Sequence, residues 1–304
     1  MKAVLTKGIK IGWLLLMIHF MAGAQTGQGL IPYSNKLLLN PSYAGFEKQN
    51  HFRSSLQLQT MPDKKLNYSW TGTYDTHFNI MEGGYSVQFY QGLDGRMNLS
   101  TVGIGAAFSK PFDMSKKGQL ISSLGMNLYT KTKKWLVYSK EQNTIVQPSA
   151  GLLWNSYSAE VGLAGYFAFA QNQAEYAQNK TPVLLVFHAA KKNEGFLKGL
   201  ISRPIKINPD LTVVYSPNLF LSRIGFRTRQ TSHFWGIYAE NNFTDDCLGL
   251  SGITGWTIQN FRINLAAGGA YFATEKKLSF LGEAHLTLTL PYIDFDKTRP
   301  WLKP

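Results

Sequence analysis

From residue 50 onwards the chain alternates apolar and polar side chains with a period of two, and almost nowhere with the 3.6-residue period of a helix. Ser279 to Leu290 is the clearest case. Phe280, Ala284, Leu286, Leu288 and Leu290 fall on one face; Ser279, Glu283, His285, Thr287 and Thr289 fall on the other. Leu120, Leu124, Met126 and Leu128 likewise oppose Ser123, Gly125 and Asn127, and Phe261, Ile263, Leu265 and Tyr271 oppose Arg262 and Asn264. Fourteen such segments can be marked: 50–59, 66–75, 83–91, 99–109, 119–130, 145–156, 159–170, 182–190, 208–217, 220–229, 233–241, 248–258, 261–272 and 278–290. Most are close to the roughly 9–11 residues that a tilted strand needs to cross a bilayer. In a soluble sandwich the apolar face turns inward. In a membrane barrel it meets lipid and the polar face lines the lumen.

The N-terminus decides between these. Lys2, Lys7 and Lys10 precede the apolar run Ile11–Met21, and Ala22-Gly23-Ala24 follows it, the pattern of a cleaved secretory signal. The run is too short for a spanning helix, which needs roughly 20 residues. The lone Cys247 excludes an intramolecular disulfide and a multi-cysteine metal site. An exported all-β chain without disulfides must still protect its sheet edges, and closure into a barrel does so. The expected fold is all-β: a transmembrane antiparallel outer-membrane β-barrel of about 14 strands. It occupies residues 50–290, after a signal (1–24) and an N-terminal periplasmic or plug segment (25–49), and before a C-terminal tail (291–304). An even strand count puts both ends of the barrel chain on the periplasmic side.

Formal net charge is +13, with basic pairs such as Lys64-Lys65, Lys116-Lys117 and Lys276-Lys277 at expected strand ends. They read either as solvated turns or as contacts to lipid phosphates or an acidic partner. Nucleic acid is not an expected partner of an exported chain. The longest break, 191–207, carries Lys191, Lys192, Lys198, Arg203 and Lys206 against one acid, Glu194. It is either a basic periplasmic loop suited to partner docking or a stretch that hides a strand. Arg223, Arg227 and Arg229 share one strand face, which is costly against lipid, so they belong in the lumen or at a rim. Trp70, Trp135, Trp154, Trp235 and Trp256 fall within or beside marked strands, as interfacial girdles require, with core packing the alternative. Glycines inside strands, among them Gly103, Gly105, Gly162 and Gly165, permit curvature or close lumen packing.

No catalytic constellation stands out. His51, His77, His188, His233 and His285 are dispersed without metal-ligand spacing, and no Gly-x-Ser-x-Gly elbow occurs. Glu283 and His285 lie one alternation apart on the expected lumen face. They read as an acid/base pair of a lipid hydrolase or, lacking any placed nucleophile, as a lumen hydrogen-bonding pair. A non-enzymatic barrel without cofactor or metal is the expectation.

One segment is specific. Tyr33-Ser34-Asn35-Lys36-Leu37-Leu38-Leu39-Asn40-Pro41-Ser42-Tyr43-Ala44-Gly45 resembles the N-terminal signature of the PorP/SprF family of Bacteroidetes type IX secretion membrane proteins, which ends in Asn-Pro-Ala-Tyr-Ala-Gly. Asn40, Pro41, Tyr43, Ala44 and Gly45 match; Ser42 replaces an alanine. Asn-Pro favours a turn and glycine permits positive φ, so such a segment can tuck into the periplasmic mouth. Gly84–Gly95, Phe108-Ser109-Lys110 and Pro148–Phe169 resemble later family hairpins more weakly, with Tyr90 where an Asp is common. Gly282-Glu283-Ala284-His285 departs from the family's Gly-Ser-His-Glu, and the family's Arg-x-Gln-Trp is degraded near Arg53. The resemblance implies an outer-membrane barrel serving type IX secretion or gliding by helping to deliver or anchor a surface protein. It also implies periplasmic ring or peptidoglycan-associated partners and adhesin-like cargo. The alternative is a diffusion or uptake channel, with the arginines biasing an open lumen towards anions.

Overall fold

Strands form wherever the alternation was read, because only an extended backbone sends successive side chains to two different solvents. The structure is a computed structural model that describes residues 35–290 apart from 61–64, 79–81, 96–98, 116–117, 137–138, 171–182, 193–194, 198–204, 218, 230–231 and 245. The expected signal, the start of the N-terminal segment and the tail lie outside the described residues. The strands are β1 (Asn50–Thr60), β2 (Leu66–Phe78), β3 (Gly83–Asp94), β4 (Leu99–Ser115), β5 (Gly118–Leu136) and β6 (Ser139–Ser156). Then come β7 (Ala159–Phe167, resumed at Phe169–Ala170), β8 (Val183–Lys191), β9 (Ile205–Ser216) and β10 (Leu219–Arg229). The last are β11 (His233–Asn242), β12 (Cys247–Ile258), β13 (Phe261–Phe272) and β14 (Lys277–Leu290). Each corresponds to one marked segment.

All neighbouring strands are antiparallel, and the last returns to the first: Asn50 stands opposite Leu290 and Gln59 opposite Leu281. The sheet is therefore a closed 14-strand barrel with no free edge. The break at 191–207 holds a strand that the alternation did not reveal. Gly195–Leu197 pairs with Ile205–Ile207 at the foot of β9, where β8 has already ended. Three residues are too few to display a period.

Burial runs opposite to that of a soluble protein. On β14, Ser279, Glu283, His285 and Thr287 are buried, whereas Phe280 is 65% exposed. Leu124, Ile224, Leu250 and Leu265 are exposed on their strands in the same way. An apolar outer wall around a polar interior is what lipid outside and protein inside impose. Exposed Trp70, Trp154, Trp235 and Trp256 lie on that outer wall, in keeping with girdles rather than a core. Trp135 is in β5, but its side chain is outside the described residues.

Both ends of the barrel chain, at β1 and β14, meet at one mouth. At this mouth the only helical turns among the described residues, the 3-10 turns Lys36–Leu38 and Pro41–Tyr43, enter the lumen.

Candidate lumen plug

The segment Asn35–Gly45 is built by its own residue types. Asn40 caps the second turn, its side chain accepting from the Ser42 backbone N–H at 2.9 Å, and Pro41 opens that turn where no amide donor is needed. Gly45 then adopts φ +57°, and a Cβ there would lie 2.2 Å from the Thr76 carbonyl oxygen. Glycine is required twice over, by conformation and by space. The motif is thus a compact knot that turns the chain back towards β1.

The knot is fastened to the lumen wall by polar contacts spanning much of the sequence. The Asn40 amide donates to the carbonyls of Leu152, at 3.0 Å, and Leu163, at 3.3 Å. Ser42 Oγ meets Ser123 Oγ at 2.8 Å, and Ser109 Oγ donates to the Ala44 carbonyl at 2.7 Å. Tyr166 OH donates to the Leu38 carbonyl at 3.3 Å. The Tyr43 hydroxyl donates to Glu160 Oε1 at 3.0 Å and lies 2.7 Å from His188 Nε2. Lys36 forms an ion pair with the same Glu160 oxygen, while Lys192 Nζ is 3.5 Å from the other. Asn40, Ser42, Tyr43, Ala44 and Glu160 are all buried, so these bonds form away from bulk water, where losing a partner is costly.

Apolar side chains complete the seal. Leu37, Tyr43 and Ala44 pack with Ile121 and Leu153, and Phe46 closes over them. Leu39 enters a second cluster with Ala164, Tyr166, Val186, Val214, Leu219 and Leu221. Burial and the nearby Arg227 draw the Lys36 ammonium below its ordinary pKa, against the opposing pull of Glu160. Burial, then the Glu160 charge, push the Tyr43 phenol well above its ordinary value, so it remains a donor. Outside the seal, Glu47 is held down at about 2, chiefly by its hydrogen bond from His51 Nε2 at 2.9 Å.

The expected site residues are distributed as follows. Asn40, Pro41, Tyr43, Ala44 and Gly45 come together in the plug. Arg223 is buried on the lumen face and bonded to Glu240. Arg227 is half-buried and lies near enough to Lys36 to act on its charge; the Arg229 side chain is outside the described residues. Glu283 accepts from Ser55 Oγ at 2.9 Å, and His285 Nε2 meets Thr287 Oγ1 at 2.9 Å. Both are buried in the lumen wall and engaged by these bonds. Lys191 is exposed, whereas Lys192 turns inward to Asn155 and sits 5.8 Å over the Phe46 ring. Lys198 and Arg203 lie outside the described residues, as does the side chain of Lys206. Sequence reasoning missed Glu160 and Lys36 and gave His188 no role. The one available signal was a charged or imidazole side chain, Glu160 or His188, inside an otherwise largely apolar strand.

A model of the PorP/SprF type IX secretion system membrane proteins matches residues 32–289. Among curated proteins no match is found. Among solved structures, the Ralstonia pickettii toluene transporter TbuX superposes with a TM-score of 0.54 at 10% identity, over 90% of this chain and 97% of that one. The deltaS2S3 mutant of TodX, a monoaromatic hydrocarbon channel, gives 0.54 at 9% identity, over 84% and 94%. CdiB from Acinetobacter baumannii gives 0.49 at 8% identity over 79% of this chain, which spans 60% of that longer one. At such identities the likeness is one of fold, and that fold is an outer-membrane barrel. The family match runs from the plug motif to the closing strand, and the chain is therefore a member of the PorP/SprF family of type IX secretion system membrane proteins, located in the outer membrane.

Proposed function

We propose that this barrel works as a closed, non-enzymatic scaffold of type IX secretion or gliding, helping to deliver or anchor a cell-surface protein rather than conducting solutes. The observation that carries this reading is the plug: the family's own N-terminal motif is buried in the lumen, hydrogen-bonded to the wall from β4 to β8 and packed against Val214 of β9. A segment retained for transport would not need such fastening. Periplasmic ring or peptidoglycan-associated proteins would dock at the plugged mouth, with Lys191, Lys198, Arg203 and Lys206 as the basic contacts. Adhesin-like cargo would be handled at the opposite end. Conductance of the purified protein in planar bilayers is the direct test. Silence supports the scaffold; steady open conductance rejects it. Charge reversal at Lys191 and Lys198 that left secretion and partner cross-linking unchanged would reject the docking role.

A channel is the second reading, favoured by the apolar lumen cluster around Val186 and Val214 and by the channel-type fold of TbuX. Apolar solutes suit that interior better than anions, since the Arg223 charge is already met by Glu240.

A further inference from the structure

We infer that the lumen wall from β3 to β8 is a peptide-binding site for a short segment of the pattern Asn-Pro-small-Tyr-small-Gly, filled here in cis by residues 35–45 and able to accept the same peptide in trans. This rests on the reading of that segment as the plug.

The wall is shaped for a backbone. A Cβ on Gly84 would fall 1.8 Å from the Ala44 carbonyl oxygen, and one on Gly151 would fall 2.1 Å from Asn40 Oδ1. A Cβ on Gly162 would fall 2.0 Å from the His188 ring, which holds Tyr43, and 2.9 Å from Asn40 Nδ2. Between these glycines stand the short hydroxyls Ser109 and Ser123, each bonded to the plug, with Ile121 and Leu153 packing against its apolar side chains. Small residues on one surface and a fitted chain on the other make a groove and its ligand rather than a uniformly packed core.

The groove also reads side chains. Asn40 satisfies two strand carbonyls at once, which a carboxylate of similar size cannot do. Tyr43 fits between Glu160 and His188 and stacks obliquely on the imidazole, with ring centroids 5.3 Å apart. Phenylalanine would leave both buried partners short of a bond. Pro41 pre-sets the turn, and Gly45 supplies the positive φ that ends it. These four residues fix the recognition pattern.

The tether leaves the ligand separable. Glu47, Lys48 and Gln49 are exposed, and they alone link half-buried Phe46 to β1. No strand ladder passes through the plug, so the barrel's backbone pairing does not depend on it. A peptide in trans must nevertheless compete with a tethered copy at an effective concentration of order millimolar.

The test uses the full chain carrying Asn40→Ala and Tyr43→Phe, refolded in detergent, with a fluorescein-labelled peptide of residues 35–45. Fluorescence anisotropy should show binding of the wild-type peptide to this variant and little binding to the wild-type protein. A peptide with the same two changes should bind at least roughly tenfold more weakly, as loss of bonds to buried partners requires. Adding Gly151→Val to the variant should abolish binding. Equal binding of the two peptides, or none of either to a folded variant, overturns the inference. Heat-modifiable migration reports folding; if the double variant fails it, Tyr43→Phe alone carries the same comparison. Bilayer conductance of the wild type remains a separate readout, so a conducting wild type would reject the closed scaffold without deciding the peptide result.

Discussion

The two walls of the lumen are filled by opposite means. From β3 to β6 several inward positions are small (Gly84, Ser109, Ser123, Gly151), and the space beside them is taken by a segment from outside the barrel. From β11 to β14 the wall fills itself. Tyr238, Ile253 and Ala266 are buried together, with Phe234 and Leu281 against them. Gly225 beside this cluster makes room not for a plug but for Tyr238, whose ring would lie 2.3 Å from an added Cβ. Glycine on a barrel wall therefore has two meanings, and the neighbour decides which. The plugged wall holds a part that can leave; the self-filled wall cannot be emptied without breaking strands.

The sharpest way to break this contrast is Gly84→Val. The three atoms nearest its added Cβ all belong to the plug, so the overpacking, about 3 kcal/mol at the top of the usual range, is expected to fall on plug docking first. Protease accessibility of residues 35–45 should rise while the barrel keeps its heat-modifiable migration. Gly282→Ala is the matched control: nothing lies within 4 Å of its added Cβ, and no change is expected. Gly282 lies on the outward face of β14, so if both variants behave alike the Gly84 effect does not come from the plug.

Glu160→Gln comes next. It removes the single negative charge shared by Lys36 and Lys192, whose side chains retain 25% and 31% exposure. Breaking a buried pair costs more than this; partial exposure reduces the expected loss to about 2 kcal/mol. The plug should loosen, again seen by limited proteolysis, without a change in strand content by circular dichroism. On the self-filled wall, Tyr238→Phe takes away the hydroxyl that donates to Asp210 at 2.7 Å. It should cost about 1 kcal/mol of global stability in urea and leave the plug untouched.

Legibility follows the same division. The strands could be read because lipid enforces a period-two contrast on the outer face, and Phe280 against Ser279 or Leu124 against Ser123 displays it directly. The plug motif could be read through its family resemblance and the turn chemistry of Asn40-Pro41 and Gly45. The receiving site could not. Glu160 is 117 residues from its partner Tyr43, and His188 is 145 away, so barrel closure rather than local pattern brings them together. Arg223 was readable as a lumen residue by the cost of facing lipid, but Glu240, its neutralising partner, depended on the β10–β11 register.

The smallest expected effect lies at the joint between plug and barrel. Glu47 stands just outside the seal and accepts from His51 on β1, which holds its carboxyl at about 2 instead of the usual 4.5. A carboxylate with a depressed folded pKa stabilises the folded state at pH above its unfolded value; that contribution is lost as pH falls from about 4.5 through about 2. Acid should therefore loosen the joint, and Glu47→Gln should remove that part of the pH dependence while leaving behaviour at pH 7 nearly as it was. The effect is small because the side chain is more than half exposed and water screens the pair. Proteolysis of the 46–49 tether across this pH range, with an acid-active protease, reads it directly. A wild-type cleavage rate as flat as that of Glu47→Gln would mean that the plug is held by the β3–β8 groove alone, with no help from its tether.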